Sequence, residues 1–567
     1  MKNSLRILIA VLVITSMIAP RVAELTKFTA ADEPFWLVVG ADYYYALTHG
    51  ELEHTVYEYH PAVTTMWIGT AAMVIYFPEY RSIMKGYFQQ EKTSFDTYLI
   101  EHGKNPLVLL WWARLIQLLL NVFLFIVAFF LLRYLLSEWI AFVVVLLASF
   151  APYLFGQSRM LNHETMVGLF SLIAILAMTA YLFRDTSTRL STSPKIWLLF
   201  LSGGSAAFAN LTKSSAIVLF PVTAVIIFVW AILQWREKKK IVPILLNSLK
   251  IFLAWIGILF LVYFIAWPGM WVAPGKMLYE VYGNAFSYAF QGSRLSVIAQ
   301  ELKPASFSLA STGLGVLDFL TSIAWRTTPI TWLGLLFAVI FFFSKNRELI
   351  PPLTKYLTAF LFLEAFACIG MFTLAQGRDQ PHYVLAAYYC FEFSAALGWA
   401  YALRWLARKF TWASKPFAQA SVFAVVLIAQ ASGLSYTSPY YYTYLNPIML
   451  SMHEAPLFYY GEKMEEAAAY LSTKPNAKNS SALVYFGRSF SYYFPGRTLL
   501  FTPVLFGDKP QLIGNLKDSD YLVVYVGLHE RLPLLNLITP EHIIYLNSRP
   551  YVEIYRVSDI PSNYYSE

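Results

Sequence analysis

Apolar stretches of about twenty residues recur along this chain. A stretch of that length crosses a hydrocarbon core only as a helix, which satisfies its own backbone hydrogen bonds. About eleven are legible, near residues 5–22, 107–132, 138–156, 165–183, 196–211, 214–233, 243–266, 327–343, 352–374, 383–402 and 416–434. Composition agrees: 58% of the 567 residues are hydrophobic and 13% charged, against about 25% charged in a soluble protein. Collagen-like, disordered and disulfide-knit classes are excluded by 27 Gly, 28 Pro and 2 Cys. Cys368 and Cys390 both lie inside apolar runs and read as small packed hydrophobes. The expected fold is a polytopic α-helical membrane protein. Its first span follows Lys2 and Arg6, as a signal peptide would. No small-x-small cleavage pattern follows, and Pro20-Arg21 stands where one would fall, so a retained span is expected.

The net charge of +8 is unevenly placed. Residues 435–567 hold ten Lys/Arg and twelve Asp/Glu, so the excess of cations lies in short loops between the apolar runs. Alternating the spans across the bilayer gathers fifteen basic residues against four acids on one side, in the N-terminus, at Arg133, and in loops 184–195, 234–240, 344–348 and 404–409. That side is expected to be cytoplasmic, with residues 435–567 on the opposite face of the cell membrane. Nucleic acid is excluded as a partner, because no basic face is concentrated enough to bind it.

Two outer segments are longer than connections need to be, 23–106 and 267–320, and long loops of this kind carry function. Within the first, VTTMWIGTAAMVIYF (63–77) suits an interfacial helix. The tail reads as an amphipathic helix at 461–473 followed by strands at 481–486, 521–527, 542–547 and 552–557. The expected organisation is a transmembrane catalytic domain over 1–434 and a small extracytoplasmic α/β domain over 435–567. No Gly-rich nucleotide loop occurs.

Segment 23–60 reverses the local charge. Seven acids, Glu24, Asp32, Glu33, Asp42, Glu51, Glu53 and Glu58, face a single Lys27, with His49, His54 and His60 among them. The pair Asp32-Glu33, in aromatic sequence just after the first span, suits a general base whose environment tunes its pKa. SRMLNHETM (158–166) places Arg159, His163 and Glu164 at a membrane edge, where ionisable groups are costly and mark sites. Lys213, Arg326 and Arg378 are isolated cations at the same face, and their partners are expected among these acids, lipid phosphates or an anionic substrate. Interfacial anchoring of Arg159 and snorkelling of any single cation remain open at this point.

TAADEPFW, YHPAVTTMW, RMLNHE, NLTKSSA, WRTTP, GRDQPHYVLAAY, PYYYTYLNPI and YGEKMEEAAAYL, in this order and topological placement, resemble the GT-C superfamily of polyprenyl-phosphate-dependent glycosyltransferases. The likeness is to relatives of protein O-mannosyltransferases and of the lipid A aminoarabinose transferase. The resemblance implies transfer of a sugar from a polyprenyl-phosphate donor to an acceptor hydroxyl of a protein, lipid or glycan, outside the cytoplasm and with inversion. It implies Asp32 as base, assisted by Glu33, with Glu164 as the third catalytic residue. Lys213, with Arg326 and Arg378, would stabilise the leaving phosphate, and His60, Arg159, His163, Asp379 and Tyr383 would complete substrate binding. Relatives often carry Asp where this chain has Glu164, and HPAVTT departs from their usual HPP run. A divalent cation is left unassigned, since no compact His/Cys ligand spacing is present. The rival reading, a transporter or lipid flippase, expects internal repeats or mid-membrane broken helices, and the sequence displays no repeat.

Overall fold

A computed structural model describes residues 3–57, 60–183, 196–291, 309–346, 348–375, 380–456, 459–501 and 508–565. The chain forms two compact units, one of Met1–Val22, Tyr43–Thr70 and Leu115–His453, the other of Ala23–Asp42, Ala71–Arg114 and Glu454–Glu567.

Six described helices are long and apolar enough to cross a membrane: Pro106–Leu135, His163–Phe183, Ser214–Lys238, Ile241–Ala266, Pro352–Leu374 and Pro416–Thr437. Shorter apolar helices cover Leu8–Val22, Val63–Tyr76, Glu138–Ser149, Ile196–Thr212 and Pro329–Phe343. The run expected at 383–402 is the helix Leu385–Lys409. The run expected at 138–156 is interrupted: one helix stops at Ser149 and another begins at Pro152, whose ring and missing N–H cannot continue a helix. The outer segment expected at 267–320 is also more structured than a loop. It contains the helices Gly269–Val272, Pro274–Leu278 and Asn284–Gln291, a π turn Tyr279–Gly283, and most of the long helix Leu309–Arg326.

In the first unit, His163–Phe183 is buried almost throughout and packs against Ile196–Thr212 and Leu385–Lys409. Pro329–Phe343 meets Leu385–Lys409 at two glycines: a Cβ on Gly398 would stand 2.0 Å from the Gly334 carbonyl oxygen. Small residues at such a crossing let backbones approach, the main source of attraction between helices surrounded by lipid. Ile241–Ala266, in contrast, exposes Leu245, Leu249, Leu253, Phe260 and Phe264. So long an apolar stripe suits acyl chains rather than water.

In the second unit, residues 454–567 build a five-stranded mixed sheet from β1 (Ser481–Tyr485), β2 (Arg497–Phe501), β3 (Tyr521–Tyr525), β4 (His542–Leu546) and β5 (Arg549–Arg556). Its order is β2-β1-β3-β5-β4. β1 is parallel to β2 and β3, and β5 is antiparallel to β3 and β4. The helix Met464–Ser472 seals one face through Met464, Ala467, Ala468 and Leu471, while Leu512 and Leu516 seal the other. β2 was not expected from the sequence. It is a short edge strand with only Phe501 buried, so its apolar signal is weak. Asn547 and Ser548, both at positive φ, close the β4–β5 hairpin, the two-residue geometry that matches strand twist.

Candidate active site

In the first unit the site begins at a helix break. Ile196–Thr212 ends, Lys213 is extended, and a 3-10 turn over Ser214–Val218 leads into Leu219–Lys238. The Thr212-Lys213-Ser214 run is polar where both flanks are apolar, so the break falls where side chains can satisfy freed backbone groups. Lys213 Nζ lies 2.6 Å from Glu164 Oε1, and both side chains are buried. Glu164 is placed by the loop before it. Gln117 donates to the carbonyls of Met160 and Asn162 at 2.8 and 3.0 Å, and Asn162 Oδ1 accepts from Thr165 N, capping the helix that opens at His163.

His163 Nδ1 and Thr65 Oγ1 are hydrogen-bonded at 2.7 Å, and the ring lies 6.0 Å from that of His60. Ala62 N donates to the Thr212 carbonyl and Thr64 bonds Thr212 through their hydroxyls, which holds the His60 segment beside Lys213. The Lys213 ammonium stands 4.6 Å from the centre of the Tyr383 ring, which stacks on Phe372. His60, Lys213, Ser214 and Tyr383 line a cavity of about 520 Å³ whose other walls include Phe286, Phe290, Met371, Phe372 and Leu374. It is apolar, with one desolvated ammonium. Lysine has three N–H donors, so among the described residues the bond to Glu164 leaves two for an anion.

The other expected residues of this unit have different partners. Arg159 donates to the carbonyls of Arg21 and Pro439 and lies over the Tyr441 ring. Arg326 bonds Ser322 and lies over Tyr153. Neither lines the cavity. Arg378, Asp379 and Glu58 lie outside the described residues.

In the second unit the adjacent acids part company. Glu33, at the first position of the helix Glu33–His49, is fully enclosed. Its Oε1 accepts from Arg114 Nε at 2.6 Å, and its Oε2 accepts from a second Arg114 nitrogen and from Ala30 N. Arg114 also donates to the carbonyls of Leu25 and Phe28, so this bidentate pair pins the segment carrying Asp32. Asp32 is exposed, and its Oδ2 accepts from the Tyr460 hydroxyl at 3.0 Å. Tyr460 is fixed in turn: its carbonyl accepts from Ala31 N, and Gly461, at φ +106°, sits so close to Thr29 that a Cβ would stand 2.4 Å from its carbonyl oxygen. Asp42, also in this unit, is buried and accepts from Phe88 N and Gln90 N. Loss of hydration pushes its pKa up to about 6, against the pull of those amides.

Sequence reasoning passed over three residues buried in polar roles. Arg114 in WWARLIQ, Glu364 in FLFLEAFAC and Glu392 in CFEFSA are lone ionisable groups inside apolar runs, which was itself a signal. Glu392 accepts from Thr331 and Gln430, a closed polar network between helices. Among the described residues no cluster of three His, Cys, Asp or Glu side chains is arranged to hold a metal ion.

This architecture is similar to that of ArnT from Cupriavidus metallidurans bound to undecaprenyl phosphate, at 12% identity over 98% of each chain and TM-score 0.50. The same protein in its apo state aligns at 13% identity over 97% of this chain and 98% of that one, TM-score 0.45. The archaeal oligosaccharyltransferase AglB from Archaeoglobus fulgidus, in complex with an inhibitory peptide and a dolichol-phosphate, aligns at 10% identity over 94% of this chain and 71% of that one, TM-score 0.40. At 12% identity this likeness shows a shared fold, a polytopic helical membrane architecture. Residues 60–273 match the family model of the dolichyl-phosphate-mannose-protein mannosyltransferases. No curated protein matches the sequence.

Proposed function

We propose that this protein transfers a sugar from a polyprenyl-phosphate donor to an acceptor hydroxyl on the extracytoplasmic side of the membrane. The observation that carries the reading is the buried ammonium of Lys213 at an apolar cavity of about 520 Å³. A lipid phosphate has the matching chemistry: an anionic head for the ammonium and a hydrocarbon tail for Phe286, Phe290 and Met371. The likeness to a protein solved with undecaprenyl phosphate supports the same donor class.

In this reading the acceptor hydroxyl gives its proton to Asp32 as its oxygen attacks the anomeric carbon. The bond from that carbon to the phosphate oxygen breaks, its electron pair leaves on the phosphate, and the configuration inverts. Lys213 stabilises the charge that grows on the leaving group, a preorganised electrostatic contribution. Glu164 holds the ammonium in place, Glu33 holds the Asp32 segment through Arg114, and His60, His163 and Tyr383 shape the pocket wall. Arg378 and Asp379 belong to the substrate-binding set by resemblance. Arg159 and Arg326, with their backbone and Ser322 partners, support the surrounding helices. By the positive-inside rule, the basic loops support a cytoplasmic N-terminus and a sheet on the opposite face.

The test is incubation of the purified protein with a panel of polyprenyl-phosphate sugars and an extract of hydroxyl acceptors, following release of polyprenyl phosphate. Release that requires both an acceptor and Asp32 is expected. Wild-type release by the Asp32→Asn variant removes Asp32 as the base, and no release with any donor removes the reading.

A further inference from the structure

Lys213 lines two cavities. Besides the large one, a second of about 10 Å³ is bordered by Lys213, Glu164, Ser171, Ser215, Glu364 and Cys368. Neither carboxyl oxygen of Glu364 has a hydrogen-bond partner among the described residues, nor does Ser171 Oγ, and all three atoms are inaccessible. Unpaired polar atoms in a protein interior are costly and rarely left so. The residues that carry these atoms border the same small space. Helical spacing produces it. Glu164 and Ser171 lie two turns apart on one face of His163–Phe183, and Glu364, Cys368 and Phe372 share one face of Pro352–Leu374. Phe372 of that face lies 5.9 Å from the Lys213 ammonium.

We propose that Glu364 is a positioning residue of the phosphate site: with Ser171 it holds one water molecule behind Lys213, and this water aims the ammonium at the large cavity. A space of this size is at the lower end of what one water needs, about 10–15 Å³, and a water so placed has the two to four polar partners that ordered buried waters make. A resident metal cation does not suit the space, because the Lys213 ammonium already supplies its positive charge. The inference rests on the lipid-phosphate reading of Lys213 for its kinetic consequence and stands apart from it for the water itself.

The experiment uses the full chain in lipid nanodiscs, with a polyprenyl-phosphate sugar as the varied substrate. Glu364→Leu fills the space with carbon and is expected to raise KM for the donor about tenfold with kcat within about threefold. Its thermal midpoint should be unchanged or higher, because a buried carboxyl is replaced by an apolar side chain of similar volume. Glu364→Gln, which still bonds a water, is expected to keep KM within about threefold of wild type. Ser171→Ala, a milder change, should raise KM by about threefold. Wild-type KM and kcat in Glu364→Leu overturn the proposal. So do parallel losses in every variant that follow a fall in thermal midpoint, the pattern of a purely structural residue. A density map that resolves ordered waters elsewhere should show one within hydrogen-bond distance of Glu364 and Ser171; a metal ion or no density there overturns it too. Failure of the wild type to use any such donor refutes the lipid-phosphate reading instead, and the map still decides the water.

Discussion

Glu164 and Lys213 stand 49 positions apart in sequence and form an ion pair at 2.6 Å, with both side chains almost completely withdrawn from solvent. A buried pair of this kind is weak evidence of stabilisation, since desolvation offsets most of the attraction, but removing one partner strands the other. Lys213→Ala should lower kcat/KM for the lipid donor by about 100-fold or more and destabilise the fold by about 3–5 kcal/mol. The double variant Lys213→Met with Glu164→Leu should recover most of that stability and none of the activity. Steady-state kinetics and thermal unfolding in detergent separate the two effects.

Neighbouring acids should respond oppositely to the same chemical change. Asp32→Asn is expected to reduce transfer by at least about a thousandfold with a thermal midpoint within about 2 °C of wild type, because the side chain is exposed. Glu33→Gln leaves Arg114 buried with a neutral partner and should cost about 3 kcal/mol or more of stability. Equal midpoints for the two variants would contradict the division of roles.

Gly461 offers a probe of how Tyr460 reaches Asp32. A methyl group there meets both an unfavourable positive φ and the Thr29 carbonyl at 2.4 Å. Gly461→Ala should destabilise the protein by more than the roughly 1 kcal/mol of backbone strain alone. It should also weaken the Tyr460–Asp32 hydrogen bond, read as a change in the pH profile of kcat.

Asp42 makes the stability of the protein depend on pH in a definite direction. Its folded-state pKa, raised to about 6 by burial, lies above the unfolded value of 3.8. The proton is held more tightly in the folded state. The stabilising contribution is therefore complete below about pH 4 and is lost as pH rises through about 6, to a total on the order of 3 kcal/mol. Asp42→Asn should flatten the thermal midpoint between pH 4 and 7 (a range set by these two values). An unchanged slope would show that Asp42 does not titrate there.

Orientation is open to labelling, because both native cysteines are buried. Lys517→Cys in the sheet-bearing tail should react with an impermeant maleimide in intact cells, and Lys239→Cys only after permeabilisation. The opposite pattern would invert the topology.

The helical membrane architecture was written in the sequence. A hydrocarbon solvent forces every spanning segment to be helical, long and apolar, so length and hydropathy alone locate the runs, and most of the expected spans are described helices. Strands with a buried apolar face were equally legible, while the exposed edge strand Arg497–Phe501 was not. The order of the motifs by itself singles out the acids, histidines and Lys213. Tertiary structure decided which of them meet. Only the packed helices pair Lys213 with Glu164 and send Arg159 and Arg326 to other partners. Only the fold encloses Glu33 with Arg114 while leaving its neighbour Asp32 exposed. Hydropathy is a sum over local residues, whereas the partner of a buried charge is set by contacts between segments far apart in the chain, and no local pattern encodes those.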